Sequence, residues 1–74
     1  MRSAYAMYNA CLRTAQQAYQ EGKTEQTRIL LYKAFDLAMS EVEGAPTVTE
    51  IERWGVRLQW AGKLRKWLQE SEAS

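Results

Sequence analysis

Residues 21–50 read EGKTEQTRILLYKAFDLAMSEVEGAPTVTE, and the way this stretch divides decides the fold. A glycine break, EGKT (21–24), opens it, and a glycine–proline break, EGAPT (43–47), closes it. Between the breaks β-branched residues are sparse and apolar residues do not alternate, which argues against a strand. Alanine, leucine, glutamine, glutamate, lysine and arginine dominate, and these are helix formers. A helix is therefore expected over about 25–42, with Thr24 as its N-cap. Glu25 falls in the first turn, where the helix dipole favours a negative charge. Leu31, Phe35, Ala38 and Val42 share one face; Leu30, Ala34 and Leu37 widen it, and Ile29 and Met39 lie beside it.

Reading outward, the segment before the first break is also helical, over about 4–21. Ser3 is its candidate N-cap and Gly22 its stop. Tyr5, Tyr8, Leu12, Ala15 and Tyr19 recur at steps of three and four and form one stripe, which Cys11 and Ala18 widen. The opposite face is rich in Asn, Gln and Thr, with little charge. After the second break, Pro46 prevents continuation from the middle helix. TVTE (47–50) then offers a capping box from Thr47 to Glu50, and TEIE (49–52) repeats the pattern from Thr49 to Glu52. The third helix is expected over about 48–70. Short connections make successive helices antiparallel neighbours. The expected fold is all-α: an up-down-up antiparallel three-helix bundle forming a single domain over 1–74, with a frayed acidic tail at about 70–74.

Size and composition bound the function. A chain of 74 residues buries only about 60% of its unfolded surface. A core this small supplies about 3–5 kcal/mol. The net charge of +1 gives no global attraction to nucleic acid. Residues 47–68 nevertheless hold five basic and two acidic side chains, against five of each in residues 1–46. With no histidine and one cysteine, the usual zinc ligand sets and the Cys–His and Ser–His–Asp nucleophile arrangements cannot be built. Asp36, Glu41, Glu50 and Glu52 show no spacing that singles out an acid/base pair and read as solvated helix charges. No catalytic, cofactor-binding or metal-binding residue is assigned, and a non-enzymatic protein is expected. The N-terminal segment lacks the apolar run of a signal peptide. The lone Cys11, on the apolar stripe, reads as a buried small hydrophobe, which suits a reducing, cytoplasmic setting.

The unusual segment is RWGVRLQWAGKLRKWL (53–68), which holds all three tryptophans and five of the ten basic residues. At about 100° per residue, Ile51, Trp54, Leu58, Ala61, Leu64 and Leu68 share one arc and are expected in the core. Gly55 and Gly62 sit at its edge, where they are expected to let a neighbouring helix approach closely. Val56, Trp60 and Trp67 form a second strip, and two readings of it stand. It faces a second neighbour in the bundle, or it is an exposed aromatic ridge that anchors a partner. Arg53, Arg57, Lys63, Arg65 and Lys66 scatter around the helix, whereas a membrane-surface helix segregates its charges, so no membrane contact is expected.

The stretch AYQEGKTEQTRILLYKAFDLA (18–38) resembles a tetratricopeptide hairpin, with Tyr19, Gly22, Tyr32 and Ala34 near that motif's turn and packing positions. Over nearly the whole chain the pattern is similar to MIT (microtubule-interacting and trafficking) domains, which are three-helix bundles. LQWAGKLRKWL (58–68) resembles their third helix at Leu58, Ala61, Lys63, Leu64 and Leu68. The resemblance implies a groove between helices 2 and 3 that receives a short amphipathic segment of a partner.

The function expected from these readings is a small protein–protein interaction module. Helix 3 would present Val56, Trp60 and Trp67, ringed by Arg57, Lys63 and Lys66, to an acidic or amphipathic partner surface. A bacterial adaptor and a phage-encoded inhibitor of a host complex are both compatible settings. The alternatives are a nucleic-acid-binding regulator using the same helix and a self-associating structural bundle, a homodimer through the tyrosine or tryptophan face.

Overall fold

The computed structural model describes residues 3–73 as three helices: α1 (Ala4–Gln20), α2 (Thr24–Glu43) and α3 (Val48–Ala73). The up-down-up three-helix bundle is therefore present, and each connection can be traced to the residues that form it. The Ser3 side chain caps α1 by accepting from the Ala6 N–H at 3.1 Å. Gly22 ends α1 in the left-handed region, at φ 77°. The Gly22 N–H donates to the Tyr19 carbonyl at 3.0 Å and the Lys23 N–H to the Ala18 carbonyl at 2.9 Å, the two-bond closure characteristic of a glycine C-terminus.

This turn leads straight into α2, so Thr24 is the first helical residue rather than the cap. Lys23 stands at the N-cap without a side-chain bond. The Lys23 carbonyl accepts instead from Thr27, both from its N–H at 3.0 Å and from its hydroxyl at 2.8 Å. That second bond satisfies a threonine that would otherwise be a buried, unpaired polar group. At the second break, the Thr47 hydroxyl accepts from the Glu50 N–H at 3.2 Å, so Thr47 caps α3, while the Glu50 carboxylate turns to the Tyr5 hydroxyl and Arg53 instead of returning the second bond of the box. α3 does not fray from about residue 70. It stays helical to Ala73, and Glu72 accepts two hydrogen bonds from Arg28 of α2 at 2.9 and 3.0 Å. Ser74, the last residue of the expected tail, lies outside the described residues.

The three helices lie nearly in one layer. The Cα atoms extend 40 × 26 × 12 Å, whereas a triangular bundle would have two similar cross-sections. α1 and α3 both pack along α2, and no Cα of α1 comes within 8 Å of a Cα of α3. The bundle core is built from small residues where backbones meet: Ala34 and Ala38 of α2 against Ala61 of α3, all fully buried. Trp54, Ala61 and Leu68, seven residues apart, form the buried line of α3. Tyr8 completes this cluster from α1, and Ala15, Leu31 and Leu68 form a second cluster toward the other end.

Because α3 packs its backbone against one helix only, its buried arc is narrower than the wheel suggests. Ile51, expected in the core, is 43% exposed. The close approach is made by alanines rather than by the glycines. A Cβ built at Gly55 meets nothing within 4 Å, and one at Gly62 would touch the Phe35 ring at an ordinary 3.5 Å. Gly55 therefore carries the helix-interior cost of glycine without a packing return. Gly55→Ala is expected to raise stability by about 0.5–1 kcal/mol, while Gly22→Ala, forced into the left-handed region, is expected to lower it by about 1 kcal/mol. Thermal midpoints shifting in opposite directions, by about 4–8 °C per kcal/mol for a domain of this size, would verify both.

At the N-terminal ends of α1 and α3 the gap between them is bridged by side chains. Tyr5 stacks on Trp54 with centroids 4.7 Å apart, and Tyr8 meets the same indole edge-on at 5.9 Å. The Tyr5 hydroxyl donates to the Glu50 carboxylate at 2.6 Å and the Tyr8 hydroxyl to the Arg57 carbonyl at 2.8 Å. Burial pushes the Tyr8 phenol above its ordinary range, against a smaller opposing effect of Arg57. The Tyr5 phenol is raised chiefly by its hydrogen bond to Glu50, with burial and that carboxylate's charge adding and Arg53 opposing. Between the unfolded value near ~10 and the raised folded values, the native state holds protons that the unfolded chain has lost. Stability is then complete below about pH 10 and falls as pH rises through the folded values. Denaturation midpoints at about pH 8 and about pH 11 are expected to drop steeply for the native sequence and less steeply for Tyr8→Phe.

Candidate functional site

Beyond the tyrosine bridge the space between α1 and α3 is open. A groove of about 470 Å³ runs there, floored by Thr27 and Leu31 of α2. Its α1 wall is Leu12, Arg13, Ala15, Gln16 and Tyr19, and its α3 wall is Trp60, Leu64 and Trp67. The far end is closed by Tyr19 against Trp67, with ring centroids 4.9 Å apart and planes inclined at 59°. The tryptophan strip faces α1 across this gap and stays partly exposed: Trp60 is 52% and Trp67 44% exposed, whereas Trp54 is 2% exposed. The strip is the wall of a groove rather than a convex ridge.

The reason lies in helical phase. Trp60 and Trp67 are seven residues apart and follow a line offset by about 100° from the core line of Trp54, Ala61 and Leu68. Since α2 takes the core line and α1 stands back, the second line faces the gap.

The other four residues expected at the site are dispersed. Val56 is exposed and is not part of the groove lining. Arg57 belongs to the fold: its guanidinium lies over the Tyr5 ring at 4.6 Å and the Trp54 ring at 5.5 Å, and it donates to the Arg53 carbonyl at 3.0 Å. Lys63 is exposed, three residues after Trp60 and four before Trp67, hence on the same face as both. Lys66 is exposed about a third of a turn away and does not rim the groove.

The sequence points to the tyrosine face of α1 as a surface for self-association, not as a wall shared with the tryptophan strip. Leu12, Ala15 and Tyr19 share the apolar stripe of α1, whose tyrosines are expected to be half-buried, and Tyr19 is 46% exposed. The available clue was the weakly charged, glutamine-rich flank beside them. This groove lies between α1 and α3, whereas the MIT resemblance implies one between α2 and α3. The α2–α3 seam packs through its alanines and holds a smaller hollow of about 210 Å³ beside Arg28, Tyr32, Arg65 and Glu72. There the Arg65 guanidinium lies on the Tyr32 and Phe35 rings at 3.9 and 4.4 Å. Its Nε is buried without a hydrogen-bond partner, leaving the ring faces as its compensation.

Among the described residues no three cysteine, aspartate or glutamate side chains are grouped to hold a metal ion. Among the same residues no helix is long and apolar enough to cross a membrane. Comparison with known proteins returns no matching family model, no similar curated protein and no similar solved structure.

Proposed function

We propose that this protein is a non-enzymatic protein-binding module whose groove between α1 and α3 accepts apolar side chains from a partner segment. One observation carries the reading: two tryptophans stand about half exposed in the wall of an apolar groove of about 470 Å³. Tryptophan is enriched among the residues that dominate binding energy, and groups that fill such a concave, largely apolar site displace water favourably. An adaptor, or an inhibitor of a larger complex, would work through such capture, and the single free Cys11 suits a reducing, cytoplasmic setting.

Binding of nucleic acid through α3 is less well supported by this arrangement. Arg57 is occupied by the Tyr5–Trp54 stack and Lys66 lies off the tryptophan face, which leaves two cations, Arg13 and Lys63, beside the aromatic rings rather than the extended basic groove that tracks a single strand. A peptide-display selection on the native chain, counter-selected on Trp60→Ala, tests the proposal. Enriched sequences with two or three apolar residues at helical spacing, lost on the variant, are the expected result. Enrichment that ignores Trp60 would refute it.

A further inference from the structure

We propose that the occupant of the groove is an acidic amphipathic helix from a partner protein, selected by Arg13 and Lys63. This inference rests on the protein-binding reading and adds the chemistry of the partner.

The shape of the groove argues for a helix. In an up-down-up bundle α1 and α3 run parallel, and each wall presents apolar side chains over the same seven-residue span: Leu12 to Tyr19 on one side, Trp60 to Trp67 on the other. That span is about 10 Å of helix, or two turns. Two parallel ridged walls over a floor are the surroundings that a further helix packs into, side chains between ridges. A two-turn cylinder about 10 Å across occupies roughly 800 Å³, more than the 470 Å³ available. The groove therefore takes the side chains of one helix face, at positions such as i, i+3 or i+4, and i+7, while the helix body stays above the lips.

The polar chemistry argues for acid. Thr27, on the floor, is already satisfied by the Lys23 carbonyl. The other polar groups of the lining include a guanidinium on Arg13, an amide on Gln16 and the indole N–H groups of Trp60 and Trp67. All are donors, or carry one, and no carboxylate lines the groove. Neither Arg13 nor Lys63 has an ion-pair partner among the described residues. Arg13 stands on the α1 wall, and Lys63 lies between the two tryptophans on the face of α3. A helix with lysines beside its apolar face would bring like charges onto both. One with glutamates or aspartates there would meet two cations and a row of donors. Glu70, three residues beyond Trp67, and Glu21, paired with Lys23 at 3.2 Å, mark the end of this region, so the acids belong opposite its middle.

The test uses the full chain and three helical peptides of about four turns. They share one leucine face and differ only in carrying Glu, Gln or Lys at the flanking positions. Affinity is read by titration while the indole N–H resonances are followed. The expected order is Glu, then Gln, then Lys, with Glu and Lys peptides separated on the order of tenfold. Shifts should be confined to Trp60 and Trp67. Reversing both exposed cations, Arg13→Glu with Lys63→Glu, is expected to invert the order.

Equal binding of all three peptides, or tightest binding of the Lys peptide, overturns the acidic assignment and leaves the groove reading standing. Absence of any shift at Trp60 and Trp67 with every peptide overturns both. Self-association of the chain that already covers these tryptophans makes a second copy the occupant and likewise overturns the proposal.

Discussion

Trp54→Ala is expected to unfold the domain. The indole is 2% exposed and fully enclosed. It stacks on Tyr5, meets Tyr8 edge-on and lies beneath the Arg57 guanidinium. Removing a buried tryptophan costs about 3–5 kcal/mol, and a core of this size supplies about that much in total. The loss falls where side chains tie the N-terminal ends of α1 and α3 together, leaving the Tyr19–Trp67 contact at the far end as the remaining aromatic tie. Far-UV circular dichroism at room temperature should show most of the helical signal gone. Trp54→Phe keeps a ring against Tyr5 and should fold with a lowered midpoint. A Trp54→Ala protein melting within a few degrees of the native one would contradict this account of the core.

Trp60→Ala is expected to do the opposite, leaving the fold in place and removing the function. Trp60 is 52% exposed and has no ring partner among the described residues, so truncation should cost about 1 kcal/mol of stability. Binding should suffer far more. Truncating a central aromatic anchor costs about 2 kcal/mol or more, which is roughly a 30-fold loss of affinity. Trp67→Ala should weaken binding similarly, with a somewhat larger loss of stability because Tyr19 leans on it at 4.9 Å. Calorimetric titration of a selected partner peptide, paired with thermal melts of the same variants, separates the two effects. Equal loss of stability and affinity would mean that Trp60 is part of the core.

Much of the fold was legible because the decisive signals are local. Gly22 and the Thr47 cap act over a few residues, and both work as their sequence context indicates, although the Glu50 carboxylate bonds Tyr5 rather than closing a capping box. The flattening of the bundle was not legible, because it depends on how α1 and α3 stand relative to each other. That non-local fact explains the misplacements. Ile51 is exposed because the third helix has one close neighbour rather than two. Gly55 and Gly62 were assigned the close approach that Ala34, Ala38 and Ala61 make.

Within the site, heptad spacing was enough to pair Trp60 with Trp67 and to separate both from Trp54. Side-chain chemistry alone did not reveal that Arg57 would be taken up by the Tyr5–Trp54 stack. Nor did it reveal that the groove's other wall would come from α1.

The central claim is that Trp54 holds the fold while Trp60 and Trp67 are held open beside a groove. Acrylamide quenching of three single-tryptophan variants, with the other two positions changed to phenylalanine, tests it most directly. The account predicts that fluorescence from Trp54 alone is strongly protected and that fluorescence from Trp60 alone or Trp67 alone is readily quenched. Protection of Trp60 and Trp67 equal to that of Trp54 in the monomer would contradict it.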